Sequence, residues 1–275
     1  MTNRHIEILC LGNELLIGKT VNTNAAWMAK RATSLGMEVK RITAVADDVT
    51  EIAQATNEAL RRKPDFIVTT GGLGPTFDDK TLEGISRALG KHLKVNDKAL
   101  KMVKAKYEFF VKKERMEKVD LTSPRIKMAR LPEKSEPLEN PIGTAPGVLL
   151  KVKGTTLIAL PGVPSEMKAI FEESVVPLLK KKAGDITFFE TSIFADSVME
   201  STLAPLIDRA MHENPLVYIK SHPKTEEEKP HIELHFSTTA KDSIIAKRRL
   251  EKSIIQLSEL IGKSGGQVRV EKRKL

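Results

Sequence analysis

The fold of this chain is decided by residues 69–81, Thr-Thr-Gly-Gly-Leu-Gly-Pro-Thr-Phe-Asp-Asp-Lys-Thr. An apolar run, residues 66–68, precedes this stretch, and apolar residues at helical spacing follow it as far as Gly90. Glycine reaches positive φ freely and lets a ligand approach the backbone, whereas Gly90 is a natural helix stop. The pattern therefore predicts a strand, a glycine loop and a helix.

The glycine loop predicts an anion site. The backbone N–H groups of Gly71, Gly72 and Gly74 and the N-terminus of the following helix would together suit a phosphate. No Gly-Lys-Ser/Thr follows the glycines, so the loop is not a Walker loop. Asp78 and Asp79 are predicted in the first helical turn, where they would cap the helix, bind Mg²⁺ beside a phosphate, or accept ligand hydroxyls.

The remaining pattern places this loop in a parallel sheet. Residues 6–11 and 39–45 are strand-like, and helical segments follow each of them. Alternating strands and helices predict an α/β fold with three layers and a mainly parallel sheet. We predict that this domain spans residues 1–182, and that residues 183–275 form a second, smaller α+β domain. The charged segment 97–118 lacks a strong apolar stripe and is predicted to be a lid or an excursion.

Three other loops carry candidate site residues. Residues 12–18 form a predicted loop that contains Glu14, and residues 22–24, ending in Asn24, offer helix-capping side chains. Gly143 and Thr144 lie in a glycine- and proline-rich cluster at 140–147, and Ser165 and Glu166 follow a strand that ends at Leu160. Ser165 is predicted to cap the next helix and from there to donate to a phosphate.

Bulk composition narrows the function classes. The formal net charge is +9, and residues 241–275 hold ten Lys or Arg against four Asp or Glu. A basic tail attracts nucleic acid, but aromatic residues make up only 4% of the chain, which argues against base-stacking platforms. No apolar run approaches the ~20 residues of a membrane span. With Cys10 as its single cysteine, the protein is expected to be cytoplasmic.

Four ordered stretches, residues 12–18, 70–79, 140–147 and 160–167, together resemble the N-terminal part of the competence-damage-inducible CinA proteins. That part belongs to the molybdopterin-binding MoaB/MogA-like superfamily. The resemblance covers roughly residues 4–180 and continues into the small α+β domain that comes next in CinA proteins, here KH-like. The chain ends before the deamidase domain that full-length CinA proteins usually carry, so the resemblance does not imply deamidase activity.

The resemblance implies a divalent-metal-dependent pyrophosphatase acting on ADP-ribose or a related dinucleotide. Asp79, helped by Asp78, would then hold Mg²⁺, Mn²⁺ or Co²⁺, and Glu14 and Glu166 are candidates for a second ligand or a general base. Structural explanations stay open beside these roles: Asp78 as a cap, Glu14 as an acceptor for loop amides, and Glu166 as an ordinary first-turn acid. Further ligand-binding candidates are Gly71, Gly72, Gly74, Thr76, Asn24, Gly143, Thr144 and Ser165.

Two other functions remain as alternatives. The superfamily also implies a molybdopterin-binding protein of molybdenum cofactor biosynthesis, with a pterin phosphate as its ligand. A nucleic-acid-binding module is the third hypothesis, but the C-terminal unit lacks an evident Gly-x-x-Gly loop between helices, so nucleic acid is an unlikely partner. By analogy with the family, we expect a homodimer or another closed homo-oligomer and no membrane partner.

Overall fold

The computed structural model of the chain describes residues 4–114, 120–224 and 231–269. The chain divides into two compact units, one comprising Met1–Thr33 and Met37–Ala183, the other Ser34–Gly36 and Gly184–Leu275. That each unit is an independent domain, with a boundary between residues 182 and 183, stays a prediction.

The first unit contains eight strands and eight helices among the described residues. The strands are β1 His5–Leu11, β2 Glu38–Val45, β3 Phe66–Thr70, β4 Leu93–Val95, β5 Arg130–Pro132, β6 Glu136–Leu138, β7 Gly147–Val152 and β8 Thr155–Leu160. The helices are α1 Asn13–Leu16, α2 Thr23–Ser34, α3 Val49–Arg61, α4 Thr81–Leu89, α5 Asp97–Glu114, α6 Ser123–Lys127, α7 Pro164–Ile170 and α8 Val176–Ala183. One π-helical turn, Phe171–Val175, joins α7 to α8.

The central sheet of the first unit has the strand order β2-β1-β3-β8-β7-β6. The first four strands run parallel, and β7 and β6 are antiparallel additions at one edge. Strands β4 and β5 form a separate two-stranded ribbon. The prediction of an α/β fold with a mainly parallel sheet is therefore confirmed.

Both faces of the central strands are covered. Leu9 and Ile67 belong to a core cluster that also includes residues of α3, α4 and α5. Successive strand side chains alternate between faces, so Ile8 and Val68 point the other way, and they too are fully buried. This burial on two sides explains why apolar residues dominate β1 and β3, with the buried Glu7 of β1 paired to Arg62.

The second unit is built around an antiparallel sheet of order β10-β11-β9-β12. Its elements are β9 Thr187–Asp196, α9 Glu200–Glu213, β10 Val217–Lys224, β11 His231–Ala240, α10 Ser243–Lys263 and β12 Gln267–Arg269. Buried side chains of α9 and α10 share one core with the strands, for example Leu203 and Leu257 with Phe236. This separate sheet confirms the expectation of a second, smaller α+β region.

Helix α5 corrects one prediction. Segment 97–118 was expected to be a lid or an excursion, but Ala99 and Val103 are fully buried in the core of the first unit, and Leu100 and Tyr107 pack against it. A stripe of small apolar residues is enough to anchor a helix whose other faces are charged. Residues 115–118 of that segment lie outside the described residues. Within the described residues, no helix is long and apolar enough to cross a membrane.

Candidate functional site

The carboxyl ends of β1, β3 and β8 meet at one edge of the central sheet. The chain leaves β1 to form β2 on one side and later forms β3 on the other, so the strand order changes direction at β1. In open α/β sheets, ligands bind outside the strand ends at such a switch point. The Gly71 N–H donates to the Leu160 carbonyl over 3.0 Å, which ties the glycine loop to the end of β8.

A cavity of about 390 Å³ lies at this edge, and we call it the acid cleft. Five carboxylates line it, and among the described residues no lysine or arginine does. The acids come from four separate strand-to-helix segments, with Glu14 in the first turn of α1 and Glu166 in the first turn of α7: Glu14, Asp47, Asp78, Asp79 and Glu166. The other lining residues are Leu11, Gly12, Gly71, Gly72, Leu73, Gly74, Pro75, Met128, Thr144, Ala145, Pro161, Gly162 and Val163.

The paired aspartates do not cap a helix, which corrects their predicted position. Helix α4 begins at Thr81, and its N-cap residue, Lys80, makes no side-chain capping bond. Asp79 instead closes the glycine loop: its Oδ2 accepts from the Thr76 N–H at 2.8 Å and lies 2.6 Å from the Thr76 hydroxyl oxygen. The Thr81 hydroxyl donates to the Gly71 carbonyl over 2.7 Å and fixes the other end of the loop.

The Thr76 hydroxyl lies between the two aspartates. It contacts the Oδ1 of Asp78 as well as the Oδ2 of Asp79. A hydroxyl has a single hydrogen, so it can donate to only one of these carboxylates at a time. The pKa of Asp78 is lowered, first by this hydroxyl and then by its own backbone N–H, with weaker help from Lys127 and Lys80. The two carboxylates therefore compete for one hydroxyl donor.

Close packing requires glycine at two loop positions. At Gly71, where φ is +108°, an added Cβ would lie 2.1 Å from the carbonyl oxygen of Leu11, which is backbone. At Gly74 the Cβ would lie 2.6 Å from Oδ2 of Asp79. The loop glycines thus let the backbone pass between the end of β1 and the Asp79 carboxylate.

Asp47 is a cleft residue that the sequence analysis missed as a site residue. Residues 12–18 include the short helix α1 rather than only a loop, and Asn13 at its start exchanges hydrogen bonds with Asp47. Asp47 Oδ2 accepts from the Asn13 N–H over 2.8 Å. Asp48, its neighbour, caps α3 by accepting from the Thr50 and Glu51 N–H groups. In the sequence, two aspartates before a helical pattern indicate helix capping, and nothing there indicates that Asp47 lines a cleft.

Burial and the neighbouring acids of the cleft together raise the pKa of Asp47. Burial raises the pKa of the Asp47 carboxyl, the Asn13 N–H lowers it, and the charges of Glu14, Asp78 and Asp79 raise it further. Because the folded pKa lies above the ordinary value, ionisation of Asp47 opposes folding. Its contribution to stability is lost as the pH rises from about 4 through the raised pKa.

Glu166 is held by a residue from the neighbouring loop. The Asn140 side-chain amide donates to Glu166 Oε2 over 2.7 Å and to the Ala145 carbonyl over 2.8 Å, while its own oxygen accepts from the Gly143 N–H. Asn140 is almost fully buried. A Cβ on Gly143 would lie only 2.0 Å from Glu166 Oε2. The structure therefore brings Gly143, Thr144 and Glu166 together at the acid cleft.

Three predicted residues lie elsewhere. Asn24 donates to the Gly162 carbonyl over 2.7 Å and borders a smaller cavity of about 120 Å³ beside the cleft. Thr76 borders a separate cavity of about 490 Å³ on the other side of the loop. Ser165 does not cap its helix: α7 begins at Pro164 with Val163 at the N-cap position, and the exposed Ser165 is not among the described residues that line the cleft.

The cleft can be tested for its fit to a divalent metal. Within the described ranges, no three His, Cys, Asp or Glu side chains are close enough to hold an ion by themselves. Mg²⁺ is commonly held by one or two carboxylates, waters and substrate phosphates rather than by a full protein cage. The adjacent carboxylates of Asp78 and Asp79 fit that mode of binding.

Comparison with known proteins places this chain in a family. The model of the probable molybdopterin binding domain matches residues 7–181. A protein from Sulfurisphaera tokodaii is 42% identical over 96% of this chain and 97% of its own length. A Pyrobaculum aerophilum protein, PAE0875, is 45% identical over 92% and 93% of the two chains. A crystal structure of the protein CinA from Thermoplasma acidophilum, described as of unknown function, is 42% identical with a TM-score of 0.58 and covers 64% of this chain and 99% of that one.

Proposed function

The chain belongs to the family of probable molybdopterin binding domains, and on that premise we propose that its acid cleft binds a nucleotide with a diphosphate bond and hydrolyses that bond. ADP-ribose or a related dinucleotide is the proposed substrate. A divalent metal, Mg²⁺, Mn²⁺ or Co²⁺, is the proposed cofactor. Two monophosphates are the expected products.

One observation carries this proposal: five carboxylates line a cleft in which no described lysine or arginine takes part. A bare carboxylate repels a phosphate unless a cation or a ligand hydroxyl lies between them. Asp47 already carries a raised pKa in part because of its acidic neighbours. A divalent cation would relieve this repulsion and bring a phosphate into the cleft at the same time.

Each acid has a proposed role. Asp79 and Asp78 would hold the cation, because both carboxylates contact the Thr76 hydroxyl and so lie side by side. When bound, a divalent metal offsets the charge that develops on nonbridging phosphate oxygens. The backbone of Gly72 and Gly74 lets the diphosphate approach the loop closely.

Glu166 is the proposed general base. Asn140 fixes Oε2 over 2.7 Å, which orients the carboxylate and leaves Oε1 to accept a proton from the attacking water. The water oxygen bonds to phosphorus, the bridging P–O bond breaks, and the proton on Glu166 passes to solvent. Glu14, which lies in α1 and also lines the cleft, remains the alternative base or a further ligand.

The direct test is turnover of ADP-ribose with Mg²⁺, Mn²⁺ or Co²⁺ and with excess EDTA. We expect metal-dependent release of two monophosphates, and at least a ~100-fold loss of kcat for Asp79→Asn, the order seen when one strong transition-state contact is removed. The matched control is Asp208→Asn, an exposed aspartate on α9 of the second unit. Metal-independent turnover, or equal rates for both variants, would refute the proposal.

The second candidate is molybdopterin binding, and the family match over residues 7–181 is the observation in its favour. A pterin phosphate also combines a phosphate, a ring and polar groups, so the same glycine loop would serve it. The distinguishing result is a fluorescent pterin that copurifies with the protein while ADP-ribose remains intact with every metal.

A further inference from the structure

A second cavity, of about 600 Å³, adjoins the acid cleft, and we call it the lysine groove. One wall is a single face of helix α5, whose contributing residues recur every three or four positions, as neighbours on a helix surface do. They are Lys98, Lys101, Met102, Ala105, Lys106 and Phe109. The opposite wall comes from the 139–146 loop. Ala99 and Val103 anchor α5 in the core, so this face is held in place.

The charge of the lysine groove is the reverse of that of the acid cleft. Three lysines line the groove, and Glu139 is the single acid among its described lining residues. The ammonium group of Lys106 donates to the Pro141 carbonyl over 2.8 Å, which fixes one positive charge beside the loop. The groove therefore attracts an anion without the help of a metal.

The two cavities share one loop. Thr144 lines both of them. Asn140 also lines the lysine groove, and its amide holds the Glu166 carboxylate that lines the acid cleft. A ligand that fills both cavities would therefore pass directly by the proposed general base.

The apolar part of the groove suits a flat ring. Phe109 is 59% exposed although it is a large aromatic side chain. Met102 and Ala105 lie on the same helix face. An exposed aromatic beside cationic groups is a common platform for a base that carries a phosphate.

We propose that the lysine groove binds the nucleoside monophosphate end of the substrate, with the base against Phe109 and the nearby phosphate between Lys98 and Lys101. This assignment rests on the proposed function, since it divides one substrate between the two cavities. The diphosphate bond would then lie between the groove and the acid cleft, where Glu166 is positioned. The ligand class is a purine nucleoside 5′-phosphate joined to a second phosphate-bearing group.

The test is binding of adenosine 5′-monophosphate to the full chain by calorimetry, in EDTA so that no metal site contributes. The variants are Lys98→Ala/Lys101→Ala, Phe109→Ala and Lys104→Ala. Lys104 is the control for loss of a lysine charge outside the groove: it lies on the same helix and pairs with Glu108 away from the groove. Ribose 5-phosphate and inorganic phosphate, as probes without a base, report the contribution of the ring.

We expect the double variant to weaken binding of the monophosphate at least ~10-fold, since two charge contacts are lost. Phe109→Ala should weaken it without changing the affinity for ribose 5-phosphate, and Lys104→Ala should leave both unchanged. Absence of binding to wild type, or affinities within twofold in both groove variants, would overturn the assignment. The assignment would also be overturned if only Asp79→Asn lost affinity for the monophosphate, since the nucleotide would then lie in the acid cleft.

Failure of the proposed hydrolysis can be distinguished from failure of the groove assignment. If no metal supports turnover while monophosphate binding still depends on Lys101 and Phe109, the groove stands as a nucleoside phosphate site and the catalytic proposal falls. If turnover occurs but the groove variants change neither KM nor binding, the hydrolysis stands and the groove assignment is wrong.

Discussion

Replacing Gly143 by alanine should move a single carboxylate without unfolding the protein. The backbone at Gly143 is not in the left-handed region, so alanine fits its conformation. The new Cβ would lie 2.0 Å from Oε2 of Glu166 and 2.1 Å from its Cδ. The carboxylate would have to move about 1.5 Å to reach a normal contact distance of ~3.5 Å. Its hydrogen bond from Asn140, now 2.7 Å, would then be broken.

The expected stability change is small. Alanine reduces the conformational entropy of the unfolded chain and stabilises by about 0.4–1 kcal/mol. Loss of the hydrogen bond to the partly exposed Glu166 costs about 1.5 kcal/mol, the low end for a charged acceptor. The free energy of unfolding should therefore fall by no more than about 1 kcal/mol, a Tm change of roughly 2–4 °C. Turnover should fall by about 100-fold, because misplacing a reacting group by ~1 Å has that effect.

The assay pairs thermal unfolding with steady-state hydrolysis of ADP-ribose. Gly262→Ala is the matched control, because the Cβ there would meet nothing within 4 Å. Glu166→Gln should lower kcat as strongly, and adding Gly143→Ala to it should cost little more, since both act through one carboxylate. Normal turnover in Gly143→Ala would show that the position of Glu166 does not matter. A Tm loss above about 8 °C would show that the backbone, not the carboxylate, had been disturbed.

Three further substitutions separate charge from packing. Asp79→Asn keeps an acceptor for the loop and should change Tm by only a few degrees, while the affinity for Mn²⁺, followed by its EPR signal, falls at least ~10-fold; unchanged affinity would exclude Asp79 as a ligand. Because burial and the neighbouring acids disfavour the charged form of Asp47, Asp47→Asn should raise the free energy of unfolding in urea, and the gain should shrink as the pH falls through the raised pKa; a gain independent of pH would contradict this cause. Gly71→Ala should cost about 3 kcal/mol or more, since φ is +108° and the Cβ would strike the Leu11 carbonyl; an unchanged urea midpoint would refute that clash.

The sequence predicted the sheet well because its strands are buried on both sides. Residues 66–68 are a continuous apolar run and residues 6–11 are apolar except for Glu7, and these segments form most of β3 and β1. Helix α5 was harder to predict, since its core contacts rest on Ala99 and Val103 while lysines occupy other faces. Small buried residues such as Ala99 contribute little to the hydrophobic periodicity of a helix, so the sequence of α5 was typical of an exposed helix.

The positions of the acids within their loops could not be predicted from spacing. Acids just before a helical pattern favour capping, yet α4 begins two residues after Asp79, and this aspartate bonds Thr76 instead. Ser165 failed as a cap for a similar reason, because Pro164 suits the first helical position and moves the helix start forward. The bond to Thr76 holds Asp79 outside α4, and Pro164 sets the start of α7.

The charge of the acid cleft is a property of the sheet edge rather than of any one motif. Each strand-to-helix segment supplies one or two acids. Each of three acids has an ordinary local explanation: Asp47 precedes a cap, and Glu14 and Glu166 lie in first helical turns. Parallel strands bring these loops to one edge, and only there do the charges add up without a described lysine or arginine in the lining. Ionisation of a buried acid among other acids opposes folding, and the pKa of Asp47 is raised first by burial and then by the charges of Glu14, Asp78 and Asp79. Under the proposed function a bound cation would offset this cost, so removing charge from the cleft should stabilise the metal-free protein and weaken binding of Mn²⁺ together.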